Sequence, residues 1–284
     1  MTVDVEDYFQ VAAFEEQIPF ESWCNRPGRV EANTDRLLAL FESQGVHGTF
    51  FVLGWVAQRY PALLRRIVAC GHEVASHGMN HVRIFRQSPA VFFEDIVASK
   101  KLLEDVSGCP VIGYRASTYS IGPETLWALD KLLEAEYQYS SSIYPVYHDL
   151  YGMPDAPRFP FYPRSGMVAG VRGILEIPIT TVELFNRRIP CGGGGYFRLF
   201  PLAFSRWAWN RVNQLDGQPG VFYCHPWEFD PQQPRIADIN LKTRFRHYLN
   251  LAKMQGRLVE MLKAFRWDRM DRVYEAEIKQ GREV

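Results

Sequence analysis

The chain has no excess of charge of either sign: 32 lysines and arginines stand against 32 aspartates and glutamates. Nucleic-acid phosphates demand a basic footprint, so this balance gives no reason to expect DNA or RNA as a partner. There is no CxxC pair, and the five cysteines (Cys24, Cys70, Cys109, Cys191 and Cys224) are scattered and odd in number. Neither a zinc knuckle nor a disulfide framework is indicated, and free thiols in a reducing compartment are expected. No apolar run approaches the ~18 residues of a membrane span. The opening Met-Thr-Val-Asp-Val-Glu-Asp is acidic where a secretory signal needs basic and apolar residues. Together these absences lead to the expectation of a soluble, cytoplasmic protein without a transmembrane segment. Internal repeats are missing too, and the low-complexity content stops at Gly192-Gly193-Gly194-Gly195.

What is present is apolar substance, 47% hydrophobic and 14% aromatic, in 284 residues. That is enough for one large core, and α/β barrels reach about 250 residues as single units. Strand and helix signals alternate. Asn33 or Thr34 can cap a helix carrying Leu37, Leu38 and Phe41, and residues 49–53 form a continuous apolar run expected of a fully buried strand. A helix opening on Pro61 leads to a short strand at 73–75. Ser88-Pro89 opens another helix before Gly108, and 111–114 is again strand. Helix over 123–133, extended chain over 137–140 and core strands at 174–177 and 221–224 continue the rhythm, which implies a parallel sheet. Residues 144–173, with five prolines, read as a long structured excursion of the kind that rims substrate clefts. Residues 204–212 and 241–265 read as helix, and the charged remainder to Val284 as peripheral.

Four segments carry chemistry. Ser76-His77-Gly78-Met79-Asn80-His81 puts two histidines at i and i+4 directly after a strand, able to converge on one cation. Thr2-Val3-Asp4-Val5-Glu6-Asp7-Tyr8-Phe9 sets three carboxylates at the mouth of an apolar strand, unfavourable unless a cation or pairing compensates. Gly113-Tyr114-Arg115-Ala116-Ser117-Thr118-Tyr119 runs a strand into an arginine, and Cys224-His225-Pro226-Trp227-Glu228 ends a late strand on a histidine. Each is weak alone. All four lie where strands run out, the face on which parallel α/β folds assemble their sites.

In this order the motifs resemble the polysaccharide deacetylases, the NodB-homology group or carbohydrate esterase family 4. The opening Asp-Val-Glu-Asp-Tyr-Phe looks closest to the branch found with bacterial exopolysaccharide genes. The resemblance runs roughly from Thr2 to Pro231. It implies a distorted (β/α)7 barrel of parallel strands over residues 1–240, with 241–284 as a helical extension packed on it. It also implies one divalent metal, zinc or a first-row neighbour, on two histidines and a carboxylate. His77 and His81 match the metal histidines. Either Glu6 or Asp7 is the carboxylate: Glu6 shares a strand face with Asp4, while Asp7 has the family's usual residue type and is preferred. Asp4 matches the general base and Arg115 the residue that orients it. The backbone N–H near Thr118 matches the oxyanion donor, and His225 the general acid. Trp227, Tyr119 and the tyrosines of 144–162 are candidates to stack on sugar rings.

The reaction implied is hydrolysis of the N-acetyl amide of a glycan, which needs a Lewis acid, a base and an acid in one place. Two residues depart from the family pattern. Ser117 stands where a proline usually follows the arginine pair, which would loosen the oxyanion loop. Ser140 stands where relatives carry the aspartate that supports the acid histidine, which would leave His225 less basic. Two other readings therefore stay open: a hydrolase of cyclic amides or ureides on the same fold, and a catalytically silent glycan-binding member of a polysaccharide assembly system.

Overall fold

The computed structural model describes residues 1–149, 151–163 and 173–281. In chain order its elements are β1 (Thr2–Val5), α1 (Val30–Ser43), β2 (Thr49–Val52), α2 (Gly54–Arg59), α3 (Pro61–Ala69) and β3 (Glu73–Ser76). Next come α4 (Pro89–Ser107), β4 (Gly113–Tyr114), α5 (Trp127–Glu134), β5 (Tyr139–Ser140), β6 (Leu175–Glu176), β7 (Thr181–Leu184) and β8 (Arg187–Pro190). The chain continues with α6 (Gly194–Leu199), α7 (Leu202–Asn210), β9 (Tyr223–Cys224), α8 (Leu241–Tyr248), α9 (Leu251–Ala264), α10 (Met270–Val273) and α11 (Glu275–Gln280).

Seven strands form one sheet in the order β6-β5-β4-β3-β2-β1-β9, every neighbouring pair parallel. The sheet curls into a half-barrel with helices around it, as the distorted barrel expected from the motifs requires. Alternation along the strands divides the apolar residues between two cores. Val3, Val5, Phe50 and Val52 face the helices, and Phe51, Ala75, Tyr139 and Leu175 fill the barrel.

Where the expected elements differ, the reasons are local. Helix α1 begins at Val30, before Asn33, because a carboxylate from β1's end accepts its first N–H groups, Arg29 N at 2.6 Å and Val30 N at 2.9 Å. The opening of α4 follows expectation, with Ser88 Oγ accepting from Val91 N at 3.3 Å and Gly108 ending the helix at φ 71°. The expected helix over 241–265 is broken between α8 and α9 at Asn250, whose φ is +52°. The hairpin β7–β8 and the short helices α2 and α6 have no clear periodicity and were not expected. Of the excursion 144–173, residue 150 and residues 164–172 lie outside the described residues.

The charged C-terminal stretch is not peripheral. Met270, Tyr274 and Ile278 are buried in the barrel's inner core. Met270 N donates to Thr49 Oγ1 at 2.8 Å and Asp271 N to Glu73 Oε2 at 3.2 Å, so α10 and α11 close the end where the strands begin.

Candidate functional site

Period-two alternation sends Thr2, Asp4 and Glu6 to the barrel's interior while Val3 and Val5 anchor β1 outward. Asp4 is buried, and its Oδ1 accepts from Arg115 Nη1 at 2.6 Å. Arg115 is itself fully buried at the end of β4. It also donates to Thr2 Oγ1 (2.8 Å), Ser141 O (3.1 Å) and Ser141 Oγ (3.0 Å), and lies 4.0 Å over the ring of Phe51. Burial pushes the Asp4 carboxyl up, but Arg115, helped by His77 and His225, outweighs it and holds Asp4 below the usual carboxylate range.

Glu6, His77 and His81 come together with one ligand atom each, all within 4.8 Å of one another. His77 Nδ1 lies 2.8 Å from the Arg115 carbonyl, to which it donates, and this leaves Nε2 free to ligate. His81 is reached through a loop rather than a helical turn, with Gly78 at φ +77° and His81 at +56°. Asp95 of α4 braces that loop by accepting Met79 N at 2.7 Å, and Trp55 N at the start of α2 donates to Met79 O at 2.9 Å. Burial lowers the pKa of both histidines, His81 to about 4, so each presents a neutral ring. Glu6 Oε2 lies 3.0 Å from His81 Nε2 yet has no hydrogen-bond partner. A buried, unpartnered carboxylate oxygen facing two neutral imidazoles is a donor set that fits a divalent cation.

Asp7 corrects the preferred assignment. Its Oδ2 accepts from Arg29 N and Val30 N, and its Oδ1 from Tyr8 N at 2.8 Å, so both oxygens are spent on capping α1 and its own turn. The carboxylate in the cluster is Glu6.

His225, at the end of β9, points Nε2 toward Asp4 Oδ2 (3.9 Å) and Glu6 Oε1 (3.6 Å). Its Nδ1 lies 2.8 Å from Glu228 Oε1, and Glu228 is paired with buried Arg198 at 2.8 Å. Arg198 in turn donates to the carbonyls of His247 (3.0 Å) and Leu249 (2.6 Å). Burial works against a charged His225, but Glu6, the Glu228 hydrogen bond and Asp4 prevail and push it up to about 9. The lower basicity expected from Ser140 rests on the lack of a carboxylate beside the ring, and here a carboxylate is hydrogen-bonded to it. Ser140 Oγ donates to Ser142 Oγ at 2.8 Å, and the supporting acid is Glu228, from the same turn as the histidine. Ser117 leaves its loop tied down, because Ala116 N donates to Ser142 Oγ at 2.9 Å and Ser120 N to Ser117 O at 3.2 Å.

Thr118, left-handed at φ +55°, lines the cavity of about 160 Å³ that Asp4, Glu6, His77, His81 and His225 surround. Both expected sugar platforms line this cavity and are also held by neighbouring rings. Trp227 is sandwiched between His225 (5.0 Å) and His247 (4.2 Å), and donates Nε1–H to Glu6 Oε1 at 3.1 Å. Tyr119 packs among Tyr144, Tyr151 and Tyr223, with its hydroxyl 3.4 Å from Asp4 Oδ2. Tyr151 also borders the cavity. Glu228 stood in a quoted motif without a role, and its i+3 spacing behind His225, with Pro226 opening the turn, was the signal for it. Arg198 had none.

A half-barrel of seven parallel strands whose ends gather a Glu-His-His cluster, an Asp–Arg pair and a His–Glu pair is a distorted barrel of the (β/α)7 kind. Residues 23–137 match the family model for polysaccharide deacetylase, and 141–275 match a domain of unknown function, DUF3473. That deacetylase match spans less than half of the chain. The chain is similar to a chitooligosaccharide deacetylase of Bradyrhizobium sp. (strain ANU 289), 33% identical over 99 residues, which are 35% of this chain and 43% of that protein. The chain thus spans less than half the length of that curated relative. A solved structure assigned as a polysaccharide deacetylase from Mycobacterium smegmatis shares the fold at TM-score 0.60 and 18% identity, over 98% of this chain and 90% of that one. Puue allantoinase shares it at TM-score 0.57 and 18% identity, over 94% and 75%.

Proposed function

We propose that the chain is a metal-dependent hydrolase that removes N-acetyl groups from N-acetylhexosamine units of a bacterial polysaccharide or its precursor, in exopolysaccharide biosynthesis. The observation that carries this reading is the unpartnered Glu6 Oε2 among neutral His77 and His81, beside an Arg115-held Asp4 and a Glu228-held His225. Glu6, His77 and His81 would hold the ion, zinc or a first-row neighbour, which when bound supplies Lewis acidity toward the amide carbonyl.

The remaining work falls to the chain. Asp4, kept ionised by Arg115, accepts the proton of the attacking water. The N–H near Thr118 donates to the developing oxyanion, where one such donor is typically worth about 2.7–4 kcal/mol. His225, hydrogen-bonded and oriented by Glu228, gives its proton to the departing nitrogen. Hollows of about 420 Å³ and 290 Å³ adjoin the cavity through residues they share with it, Val11 and Ala12 on one side and Tyr151 and His225 on the other. That gives room for sugars beyond the one that reacts. A cytoplasmic place belongs to the same proposal, suggested by five scattered free thiols.

The test is metal content together with acetate release from N-acetylglucosamine oligomers. The reading requires acetate release that stops on chelation and returns with the ion. Turnover of a ureide instead would move the reading to the allantoinase side, and metal without turnover of any glycan would make the chain a silent member.

A further inference from the structure

Residues 184–215 contain five arginines and seven aromatic residues without one aspartate or glutamate, in a chain whose charges cancel overall. Arg198 is committed to Glu228, and Arg188 to the carbonyls of Pro154 and Ala156. Arg187, Arg206 and Arg211 have no acidic partner among the described residues. Glu183 and Asp216, which bound the stretch, both lie against Arg158, at 3.8 and 2.8 Å.

The same stretch exposes apolar surface in an ordered way. Tyr196, Phe200, Phe204 and Trp207 form a ladder across α6 and α7, with ring centroids 6.1, 4.8 and 5.6 Å apart. Leu199 is 46% exposed, Trp207 40% and Leu215 72%. The hairpin β7–β8 packs on α7 through Val182, Ile189, Phe204 and Ala208. At its tip Phe185 is 90% exposed and sits at φ +50°, followed by Asn186 at +57°. A two-residue turn of this kind favours Asn-Gly or Asp-Gly, and a bulky side chain there costs energy. Phe185 gives the fold no burial in return.

We propose that this face, the hairpin tip with the outer side of α6 and α7, docks on the surface of an anionic lipid bilayer. Aromatic and leucine side chains enter the headgroup boundary, and the unpaired arginines meet lipid phosphates. No described helix is long and apolar enough to cross a membrane, so the association is peripheral. Tyr196 and Leu199 also border the hollow beside His225, which sets the docking face next to the candidate site.

The experiment is flotation of the full chain with vesicles of phosphatidylcholine alone and of phosphatidylcholine mixed with phosphatidylglycerol, at low and high salt. Binding to the mixed vesicles alone, weakened by salt, is the expected result. Each arginine near such a surface is worth about fivefold, so R206E/R211E should lower the partition coefficient about 25-fold or more. F185S, at a tip that contributes nothing to the core, should lower it by a smaller factor with the melting temperature kept. Failure of the folded parent to bind mixed vesicles overturns the proposal, as does equal binding by both variants. A dimer that F185S or R206E/R211E dissociates, without lipid binding, would make the face a contact between copies instead. Vesicle binding is measured without turnover, so it stands or falls apart from the hydrolase reading.

Discussion

Two buried acids at one end of the barrel and one at the other are treated oppositely. At the rim where strands end, Asp4 and Glu228 are fully enclosed, yet Arg115 holds one ionised and Arg198, with His225, holds the other down to about 2. At the opposite end Glu73 is equally buried at the start of β3. Its hydrogen bonds come from the hydroxyls of Thr49 and Tyr139 and from Asp271 N, with the Asp271 carboxylate nearby, and burial pushes it up to about 7. Burial alone therefore does not decide ionisation; the partner does. On the rim side charge is favoured on Asp4 and Glu228, which the chemistry would use, while burial raises Asp7 and Glu176. The other end is built to hold the fold, in line with the general division of labour between barrel faces.

Disrupting the rim should leave fold and function separable. The largest effect is expected from H77A/H81A, which removes both nitrogen donors and should abolish stoichiometric metal binding with the melting temperature largely kept. Metal analysis of the purified variant decides this, and a retained ion would place the centre elsewhere. Next is Asp4→Asn, which should keep the ion but lower turnover about 10²–10⁴-fold, because an amide cannot accept the proton. If the ion is lost instead, Asp4 is itself a ligand.

Glu228→Gln sharpens the comparison inside the rim. A hydrogen bond to a charged group is typically worth about 1.5–3 kcal/mol, so kcat should fall roughly 10- to 100-fold with metal content unchanged. Ser140→Asp should not raise kcat, since Ser140, buried at the end of β5, hydrogen-bonds to Ser142 and lies beside Glu176. The reverse pattern would return the supporting role to position 140.

The histidine pair and the alternation of strands with helices were legible because they are local: i and i+4 spacing, continuous apolar runs, and Pro and Gly at helix ends. Glu6 against Asp7 was not legible, since residue type pointed to Asp7. What decides is that α1 starts at Val30 and needs Asp7 as its cap, a contact 23 residues away. Arg198 was invisible for the same reason, 30 residues from Glu228 and without a motif. The C-terminal stretch misled because its charges outnumber the Met270, Tyr274 and Ile278 that plug the barrel.

The smallest expected effect tests the far end. In an unfolded chain Glu73 titrates near the ordinary glutamate value of 4.5, and in the fold near 7. Below the lower value both states are protonated and the group costs nothing. As pH rises toward 7 the unfolded chain gains a solvated carboxylate, while the fold must keep the proton or bury a charge. Stability is therefore lost across that window, on the order of 3–4 kcal/mol for a shift of this size. Glu73→Gln keeps the shape and removes the titration. The melting temperature of the variant minus that of the parent, taken at each pH to cancel other groups, should grow by several degrees between pH 4.5 and 7.5. Asp271 is the neighbour that raises Glu73 further, and Arg269 pairs with Asp271. Asp271→Asn should therefore shift the same curve to lower pH by a fraction of the effect. A difference that stays flat with pH would mean that Glu73 is ionised in the fold, and the contrast between the two ends would not hold.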